Sequence, residues 1–252
     1  MELPPSGEAP VVELWYFEVG AAEVAAATAF LVGEELEQLR RFRSREAAAR
    51  FAVRRGRARQ VVAERLGVAP GEVVITRQCS HCGDPTHGKP RVAGANLAYS
   101  ASASSRGVVV AVADEADVGV DVEAADRRAE MQVIRMVCTE REQQALSRVA
   151  DEAARSRQFL RYWCRKEAVL KLVGVGLPGE PRLVECTDVR DDEFSPVSGI
   201  AGSKTLWLRD VELDPAVIAA VAATTPAPVE VRRRGDAFRK SGGRRRGRVS
   251  AR

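Results

Sequence analysis

The chain has 252 residues, 45% of them hydrophobic and 29% charged, which is typical of a globular protein with a substantial core. No run of 18 or more uncharged apolar residues occurs, which excludes a membrane-spanning helix. The formal net charge is +4, but residues 232–252 hold ten Lys or Arg against one acid, so the rest of the chain is slightly acidic. We expect this basic tail to be disordered, and its composition favours a solubilising extension over a nucleic-acid contact.

The first half of the sequence predicts strands around one long helix. Residues 11–19 alternate as in a strand, and residues 34–66 are rich in Arg, Glu and Ala up to Gly67, which predicts a helix. Residues 79–90 are dense in turn formers and predict a loop. Short strand-like segments surround this loop, at 72–78, 96–102, 108–114 and 118–123.

The second half predicts helices followed by strands, which makes the whole an α+β protein. Residues 139–149 open with a capping-box pattern, and residues 154–173 form the strongest helical segment, ended by Gly174. Strand-like segments follow at 182–185, 204–213 and 217–223. We expect a flexible N-terminus (1–10), an N-terminal lobe (11–117), a C-terminal lobe (118–223) and a basic disordered tail (224–252).

The start of the chain and its cysteines indicate the compartment. Residues 1–10 are acidic and contain proline, unlike the basic start of a secretory signal. The five cysteines show no disulfide-framework spacing, which is typical of a reducing cytoplasm. We therefore expect a cytoplasmic protein.

The segment Gly119-Val-Asp-Val-Glu123 places two acids on one face of a predicted strand. Because side chains alternate along a strand, Asp121 and Glu123 point one way while the two valines point the other. Like charges on one face repel unless a cation lies between them. Taken alone, the pattern favours an edge strand with a solvated polar face.

The helix at 154–173 carries charges beside its apolar stripe. At roughly 100° per residue, the stripe consists of Phe159, Trp163, Leu170 and Val173. The opposite, solvent side consists of Gln158, Arg161 and Arg165. Lys166, Glu167 and Lys171 border the stripe, although a solvated face could take them without cost. The alternative explanation is an ordinary ion pair between Glu167 and Lys171, four residues apart.

Asp121, Glu123 and Glu167 together offer the hard oxygen ligands that Mg²⁺ prefers. Lys171 beside them can steady the charge that develops when a diphosphate bond breaks. A Ser-His-Asp arrangement does not compete, because the two histidines of the chain lie together in the loop at 79–90.

Two motifs in this order resemble those of the 4′-phosphopantetheinyl transferases of the Sfp type, in the holo-carrier-protein synthase superfamily. They are Gly119-Val-Asp-Val-Glu123 and, about forty residues on, Trp163-Cys-Arg-Lys-Glu-Ala-Val-Leu-Lys171. Weaker matches are Arg40–Arg50, Gly88-Lys-Pro90 and Asn96-Leu-Ala-Tyr-Ser100. The resemblance extends from about residue 11 to residue 223.

This resemblance implies a pseudo-dimeric fold of two similar α+β lobes with the active site between them. It implies that a Mg²⁺ ion is held by Asp121, Glu123 and Glu167, that Glu167 takes the proton of a serine hydroxyl, and that Lys171 neutralises the diphosphate. The residues implied to contact coenzyme A are Arg50, Lys89, Ser100, Asp121 and Lys171.

The implied reaction moves 4′-phosphopantetheine from coenzyme A to a serine of an apo acyl-, peptidyl- or aryl-carrier protein. Adenosine 3′,5′-bisphosphate is released. Carrier proteins of this kind serve polyketide, nonribosomal peptide and fatty acid biosynthesis. We expect a monomer with no membrane partner and no nucleic-acid partner.

The chain departs from the family pattern at Tyr99, where the family has a histidine that helps to bind the nucleotide phosphates. Tyrosine donates one hydrogen bond but carries no positive charge at neutral pH. Lysines that the family has before Arg40 are also missing, with Glu35 and Gln38 in that stretch. We expect altered nucleotide binding with the reaction retained. Glu142 matches a glutamate near the family's active centre, but the capping box explains it equally well.

The loop at 79–90 resembles half of a zinc site, with ligands at Cys79, His81, Cys82 and His87. A structural zinc ion needs four well-placed ligands, so a plain turn that orients Lys89 is the favoured interpretation. Three alternatives for the whole protein stay open: a catalytically silent relative that acts as a binding partner, a nucleic-acid binder that uses its tail, and a zinc-stapled scaffold.

Overall fold

The computed structural model describes residues 11–78, 83, 88–174, 180–190, 193–197 and 205–233. Within these ranges the helices are α1 (Ala21–Thr28), α2 (Glu34–Arg40), α3 (Arg45–Leu66), α4 (Met131–Val137), α5 (Glu140–Ser147) and α6 (Glu152–Val173). The strands are β1 (Val12–Glu18), β2 (Ile75–Gln78), β3 (Lys89–Val92), β4 (Leu97–Ala103), β5 (Gly107–Asp114), β6 (Val118–Ala124), β7 (Ser195–Val197), β8 (Leu206–Val211), β9 (Val217–Ala223) and β10 (Val229–Arg233).

The strands form two four-stranded sheets and a two-stranded ribbon. The first sheet has the order β10-β1-β5-β4, the second has the order β6-β9-β8-β7, and β2 pairs with β3. Neighbouring strands are antiparallel, except that β10 runs parallel to β1. The edge strand β4 of the first sheet contacts the edge strand β6 of the second. The two sheets therefore meet where the sequence places its carboxylate motif.

Three hydrophobic layers hold these elements together. One, with Val120 and Val122 of β6, fills the space between the two sheets. A second lies between the first sheet and α3, and a third lies between the second sheet and α6. Val120 and Val122 thus face one core while Asp121 faces α6, which confirms the predicted alternation. The prediction of a solvated polar face on β6 is wrong, because α6 covers this face and Asp121 is buried.

The two 22-residue helices end at the glycines that their sequences predict, and each begins at a capping residue. Ser44 caps the start of α3 by accepting a hydrogen bond from the amide of Ala47 (3.3 Å), and Asp151 caps α6 through the amide of Ala154 (2.7 Å). Both helices end at a glycine in the left-handed conformation.

Gly119 explains how β6 comes so close to α6. A Cβ atom at this position would lie 2.1 Å from the carbonyl oxygen of Ala168 and 2.5 Å from the amide nitrogen of Leu172. Only a residue without a side chain permits this approach. The contact places Asp121, two residues later on the same face, against the last turns of α6.

Several predicted elements need correction. The helix predicted at 34–66 is two helices, because the hydroxyl of Ser44 starts α3 afresh after α2 has ended. The strand predicted at 182–185 is a 3₁₀ helix at Pro181–Leu183, since the proline favours the first position of a helical turn. The helices α1 and α4 were not predicted.

The tail predicted to be disordered from residue 224 begins with a strand. The segment Val229–Arg233 forms β10 and pairs with the outer edge of β1. The edge of β1 offers backbone groups that need partners, and Val229 packs against the core between the sheets. The prediction is therefore wrong for these residues, while residues 234–252 lie outside the described ranges.

The predicted α+β class is confirmed by this mixture of helices and sheets. The N-terminal half contributes three strands of the first sheet, which β10 of the C-terminal segment completes, and the C-terminal half contributes the second sheet. Each half also contributes a 22-residue helix. That the two lobes are copies of one fold stays a prediction. No helix in the described ranges is both long and apolar enough to cross a bilayer.

Candidate active site

Asp121 and Lys171 form the centre of the site. The Nζ atom of Lys171 lies 2.6 Å from Oδ1 of Asp121 and 3.3 Å from the carbonyl oxygen of Val120. The Asp121 side chain is 6% exposed and that of Lys171 is 28% exposed. The lysine therefore lies at the open rim of the site with the carboxylate beneath it.

The first sheet contributes Ser102 from β4. Its hydroxyl donates a 2.6 Å hydrogen bond to Oδ1 of Asp121 and accepts one of 2.9 Å from Nζ of Lys171. The other oxygen of Asp121, Oδ2, is buried and has no hydrogen-bond partner in the part of the chain that the structure describes. One oxygen of the carboxylate is thus held by the protein while the second is unpaired.

Glu123, two residues along β6, is held by Arg127. The Nη1 atom of Arg127 lies 2.7 Å from Oε1 of Glu123, and its guanidinium lies 5.5 Å from the ring centre of Trp163. Burial and the charge of Asp121 raise the pKa of Glu123, and Arg127 opposes this rise. The arginine therefore supplies the positive charge that keeps this carboxylate stable so near another.

Glu167 reaches the same site from α6. Burial raises its pKa to about 7; the carboxylate of Asp121 adds to this rise, Lys171 opposes it and Glu123 adds further. Glu167 is half-buried and within electrostatic reach of all three groups. The structure therefore brings together the four residues that the sequence singled out.

The exposure pattern of α6 identifies the face that opens to the site. Between Tyr162 and Leu172 the partly exposed residues are Trp163, Glu167 and Lys171, each one turn from the next, and the rest of that stretch is buried. The predicted solvent side is wrong in this stretch. Arg165 is 3% exposed because Asp210 of β8 binds its Nε and Nη2 atoms at 2.8 and 2.9 Å.

Lys166 does not border an open surface either. It is fully buried, with its Nζ atom 2.9 Å from the carboxylate of Glu142. Glu142 also completes the predicted capping box with Thr139 and accepts a 3.0 Å hydrogen bond from the amide of Cys186. The position of Glu142 is thus structural, as the capping box indicated.

The donor set suits a hard divalent cation, but it is not assembled into a cage. Asp121 presents an unpaired buried oxygen, and carboxylate oxygens are the ligands that Mg²⁺ takes. Within the described ranges, no three His, Cys, Asp or Glu residues lie close enough together to enclose an ion. The ionic partners explain this, since Lys171 and Arg127 each hold one acid. The residues fit the ion by type and proximity, with Glu123 bound to another partner.

Of the residues implied to contact the nucleotide, two are engaged within the protein. The Nζ atom of Lys89 lies 2.9 Å from Asp117 and 2.8 Å from the carbonyl oxygen of Leu172, and burial lowers the pKa of this lysine. Ser100 is buried and its hydroxyl accepts a 3.1 Å hydrogen bond from the amide of Val120. Ser100 therefore joins the first sheet to the second, whereas Lys89 joins the β2–β3 ribbon to α6 and to the residue before β6.

Arg50 is one-third exposed on α3 and lies 4.0 Å from Glu46, so it is available to an anion. One turn further along α3, burial lowers the pKa of Arg54, and the neighbouring charge of Arg77 adds to this effect. Burial raises the pKa of Tyr99 and the nearby charge of Arg77 opposes this rise, while the Nη2 atom of Arg77 has no partner within the described ranges. Positive charge therefore surrounds Tyr99 although this residue carries none.

Sequence reasoning missed four residues of this region. Ser102 could have been found, because it shares a face of β4 with Ser100. Arg127 lies four residues after Glu123 in a segment that was not recognised as ordered. Arg54 and Arg77 had no signal, since the pairing of α3 with the β2–β3 ribbon depends on tertiary packing.

The cysteines divide into two groups. Cys138, Cys164 and Cys186 are buried free thiols whose pKa values burial raises, which confirms their prediction as small hydrophobic residues. Cys79, His81, Cys82 and His87, considered as zinc ligands although a plain turn was the favoured interpretation, lie outside the described residues.

Comparison with known proteins decides the family. The model of the 4′-phosphopantetheinyl transferase superfamily matches residues 117–222. The chain is also 30% identical over 173 residues to the 4′-phosphopantetheinyl transferase HetI of Nostoc sp. strain PCC 7120, an alignment that covers 66% of this chain and 70% of the relative. The chain belongs to the 4′-phosphopantetheinyl transferase superfamily.

A phosphopantetheinyl transferase is an enzyme that moves phosphopantetheine to carrier proteins. The segment that matches the superfamily model begins one residue before β6 and ends within β9, so it contains Asp121, Glu123, Glu167 and Lys171. Ser102 lies outside this segment. The candidate site thus combines residues of the matched segment with a residue from the first sheet.

Proposed function

We propose that this transferase moves 4′-phosphopantetheine from coenzyme A to a serine of an apo acyl-, peptidyl- or aryl-carrier protein, with Mg²⁺. The single observation that supports this best is the cluster of Asp121, Lys171 and Glu167 between β6 and the open face of α6. It combines a carboxylate with a free oxygen, a half-exposed cation and a carboxyl group with a pKa of about 7.

Asp121, Glu123 and Glu167 are the residues that would hold the ion. A bound Mg²⁺ ion neutralises phosphate charge and acts as a Lewis acid on the phosphoryl oxygens. Asp121 can offer Oδ2 without losing its contacts with Lys171 and Ser102, since those contacts use Oδ1. Glu123 would be available as a ligand only without its contact to Arg127.

Glu167 is the residue suited to accept the proton of the serine. A general base works best when its pKa lies near the operating pH, and the pKa of Glu167 is about 7. The serine oxygen forms a bond to the phosphorus that carries pantetheine, while the bond from that phosphorus to the bridging oxygen breaks. The serine proton passes to the Glu167 carboxylate, directly or through water.

Lys171 is the residue suited to the leaving group. The bridging oxygen departs with adenosine 3′,5′-bisphosphate and carries the negative charge released when the bond breaks. The ammonium group of Lys171 is 28% exposed and fixed by Asp121 and Ser102, so it can meet this charge without reorganisation.

The arginines near Tyr99 are the residues suited to bind the nucleotide end of coenzyme A. Arg50 was expected to contact the nucleotide from the sequence. We add Arg54 and Arg77, because neither forms a close ion pair with an acid among the described residues. Lys89 and Ser100 support the site from beneath through their contacts with Leu172 and Val120. This arrangement supplies the positive charge that Tyr99 lacks.

The setting of the reaction follows from the same residues. Three buried free thiols suit a reducing cytoplasm, where fatty acid, polyketide and nonribosomal peptide synthases use carrier proteins. The site lies between β6 and α6 of one chain, with Ser102 of β4 beside them, so a monomer suffices. We retain the division into an N-terminal lobe (11–117) and a C-terminal lobe (118–223), with β10 added to the first.

Mass spectrometry of an apo carrier protein tests the proposal. The carrier is incubated with the full-length chain, coenzyme A and Mg²⁺, and the mass of phosphopantetheine is expected on its serine. Asp121→Ala and Glu167→Ala are each expected to abolish the product while the circular dichroism spectrum is retained. Asp188→Ala, which removes an exposed carboxylate paired with Arg141, is the control and is expected to keep full product.

Two outcomes overturn the proposal. If the unaltered chain modifies no carrier from fatty acid, polyketide or peptide synthases, the chain is a silent relative that serves as a binding partner. If both alanine variants form as much product as the control, the reacting residues lie elsewhere.

A further inference from the structure

Ser102 occupies an unusual place in this molecule, because it belongs to one sheet and acts on a carboxylate of the other. The edge strands β4 and β6 contact each other without forming a shared ladder of backbone hydrogen bonds. Two hydroxyls bridge them instead, that of Ser100 to the amide of Val120 and that of Ser102 to the carboxylate of Asp121. The first bridge holds the backbone of β6, and the second holds a reacting side chain.

The hydrogen bond from Ser102 makes the two oxygens of Asp121 differ in their hydrogen-bond partners. Oδ1 receives the hydroxyl of Ser102 at 2.6 Å and the ammonium of Lys171 at 2.6 Å, and the serine oxygen itself lies 2.9 Å from that ammonium. The three groups form a closed triangle of hydrogen bonds. Oδ2 has no such partner among the described residues, although it is buried.

A closed triangle fixes the rotation of the Asp121 carboxylate. Two donors on one oxygen resist rotation about the bond that joins the carboxylate to its methylene group, and a buried serine has few alternative partners. Without the serine, Lys171 alone would hold the carboxylate, and an ammonium group binds either oxygen equally well. The serine therefore decides which oxygen is left unpaired.

We propose that Ser102 is a positioning residue, which keeps Lys171 on Oδ1 of Asp121 and so leaves Oδ2 as the oxygen that would bind a cation. This inference rests on the proposed metal site and adds to it a residue of the first sheet. It makes cation affinity depend on the junction of the two sheets. Residues that orient metal ligands typically change metal affinity by about 10–100-fold when they are removed.

The test is calorimetric titration of Mn²⁺, a probe that substitutes for Mg²⁺, into the full-length chain. Ser102→Ala is expected to bind Mn²⁺ at least about tenfold more weakly than the unaltered chain. The control is Ser156→Ala, which removes another buried hydroxyl, near the start of α6 and away from the site. The Ser156 hydroxyl accepts a 3.4 Å hydrogen bond from the amide of Ala129. This control is expected to bind Mn²⁺ as the unaltered chain does.

Two further variants separate positioning from folding. Ser102→Thr keeps the hydroxyl and is expected to restore most of the affinity. Ser102→Cys fills the same space with a weak donor and is expected to bind as weakly as Ser102→Ala. In the transfer assay, Ser102→Ala is expected to raise the KM for Mg²⁺ and to leave the KM for the carrier protein unchanged.

The inference and the proposed function can fail separately. If the unaltered chain transfers phosphopantetheine but Ser102→Ala binds Mn²⁺ with undiminished affinity, the positioning role is wrong and the function stands. If Mn²⁺ affinity depends on Ser102 but no carrier is modified, the positioning role stands and the function is wrong. A loss of Mn²⁺ affinity as large in Ser156→Ala as in Ser102→Ala overturns the positioning role.

Discussion

Two lysines five residues apart on α6 show how one helix can support the fold and the site at once. Lys166 is 1% exposed and pairs with a carboxylate, Glu142, that is fully buried. The carbonyl oxygens of Pro181 and Val184 bind the same ammonium group. Lys171 is 28% exposed and pairs with Asp121, whose second oxygen has no partner in the described part of the chain.

The difference between the pairs lies in how completely their polar atoms are satisfied. A buried ion pair is tolerated when hydrogen bonds satisfy the remaining valences of both partners, as around Lys166. A buried oxygen without a partner costs free energy, and native proteins keep few of them. The pair at Lys171 is therefore where we propose that a ligand completes the bonding, whereas the pair at Lys166 needs nothing further.

The largest effect is expected on the free energy of unfolding, when the buried ion pair of Lys166 and Glu142 is broken. Lys166→Met removes the ammonium and leaves the Glu142 carboxylate buried without its counter-charge, so the free energy of unfolding is expected to fall by about 3–5 kcal/mol. Urea denaturation measures it. The double variant Lys166→Met with Glu142→Gln removes both charges and keeps the capping box, so it is expected to recover most of the loss. If the single variant is as stable as the unaltered chain, the comparison fails.

Breaking the ion pair of Lys171 and Asp121 is expected to lower the rate of catalysis. Lys171→Ala removes a cation held ready for the leaving group, and kcat for transfer to a carrier protein is expected to fall by about 10²–10³-fold. Its free energy of unfolding is expected to change less than that of Lys166→Met. A variant that retains full kcat would show that Lys171 is structural like Lys166.

The third prediction concerns pH. The pKa of Glu167 is about 7 in the fold and 4.5 in its ordinary state, so between these values the folded chain binds a proton that the unfolded chain has lost. The stabilisation by this proton is present at low pH and is lost as the pH rises through 7. Glu167→Gln mimics the protonated form, so it is expected to be more stable than the unaltered chain at pH 8 and equal to it at pH 4. Urea denaturation of both proteins, without added metal, checks this. Equal stability at both pH values contradicts it.

The smallest effect is expected at the periphery of the site. Tyr99→Phe removes a buried hydroxyl near the charge of Arg77, and the KM for coenzyme A is expected to rise about fivefold, the effect of a polar contact that contributes about 1 kcal/mol. Steady-state kinetics measures the change. Tyr162→Phe, which removes a buried tyrosine hydroxyl next to Gln158, is the control and is expected to leave this KM unchanged. Equal KM values for both variants would remove Arg77 from the nucleotide site.

Much of the fold could be predicted from local patterns. The glycine ends of α3 and α6, the alternation of β6 and the α+β order follow from periodicity and local residue preferences, which act over a few positions. The break between α2 and α3 and the strand β10 were missed. The break is set by the local cap at Ser44, which the long helical pattern concealed, whereas β10 depends on the free edge of β1, which comes from elsewhere in the chain.

The sequence by itself singled out the residues of the candidate site, because Asp121, Glu123, Glu167 and Lys171 stand in two motifs whose spacing is set along a strand and along a helix. It could not decide what each charge does. Lys166 and Arg165 looked like flank and surface residues, yet the fold buries both against Glu142 and Asp210. Only the tertiary structure brought Ser102 to Asp121, since the electrostatic environment of a side chain depends on its neighbours in space, and these come from strands and helices far apart in the sequence.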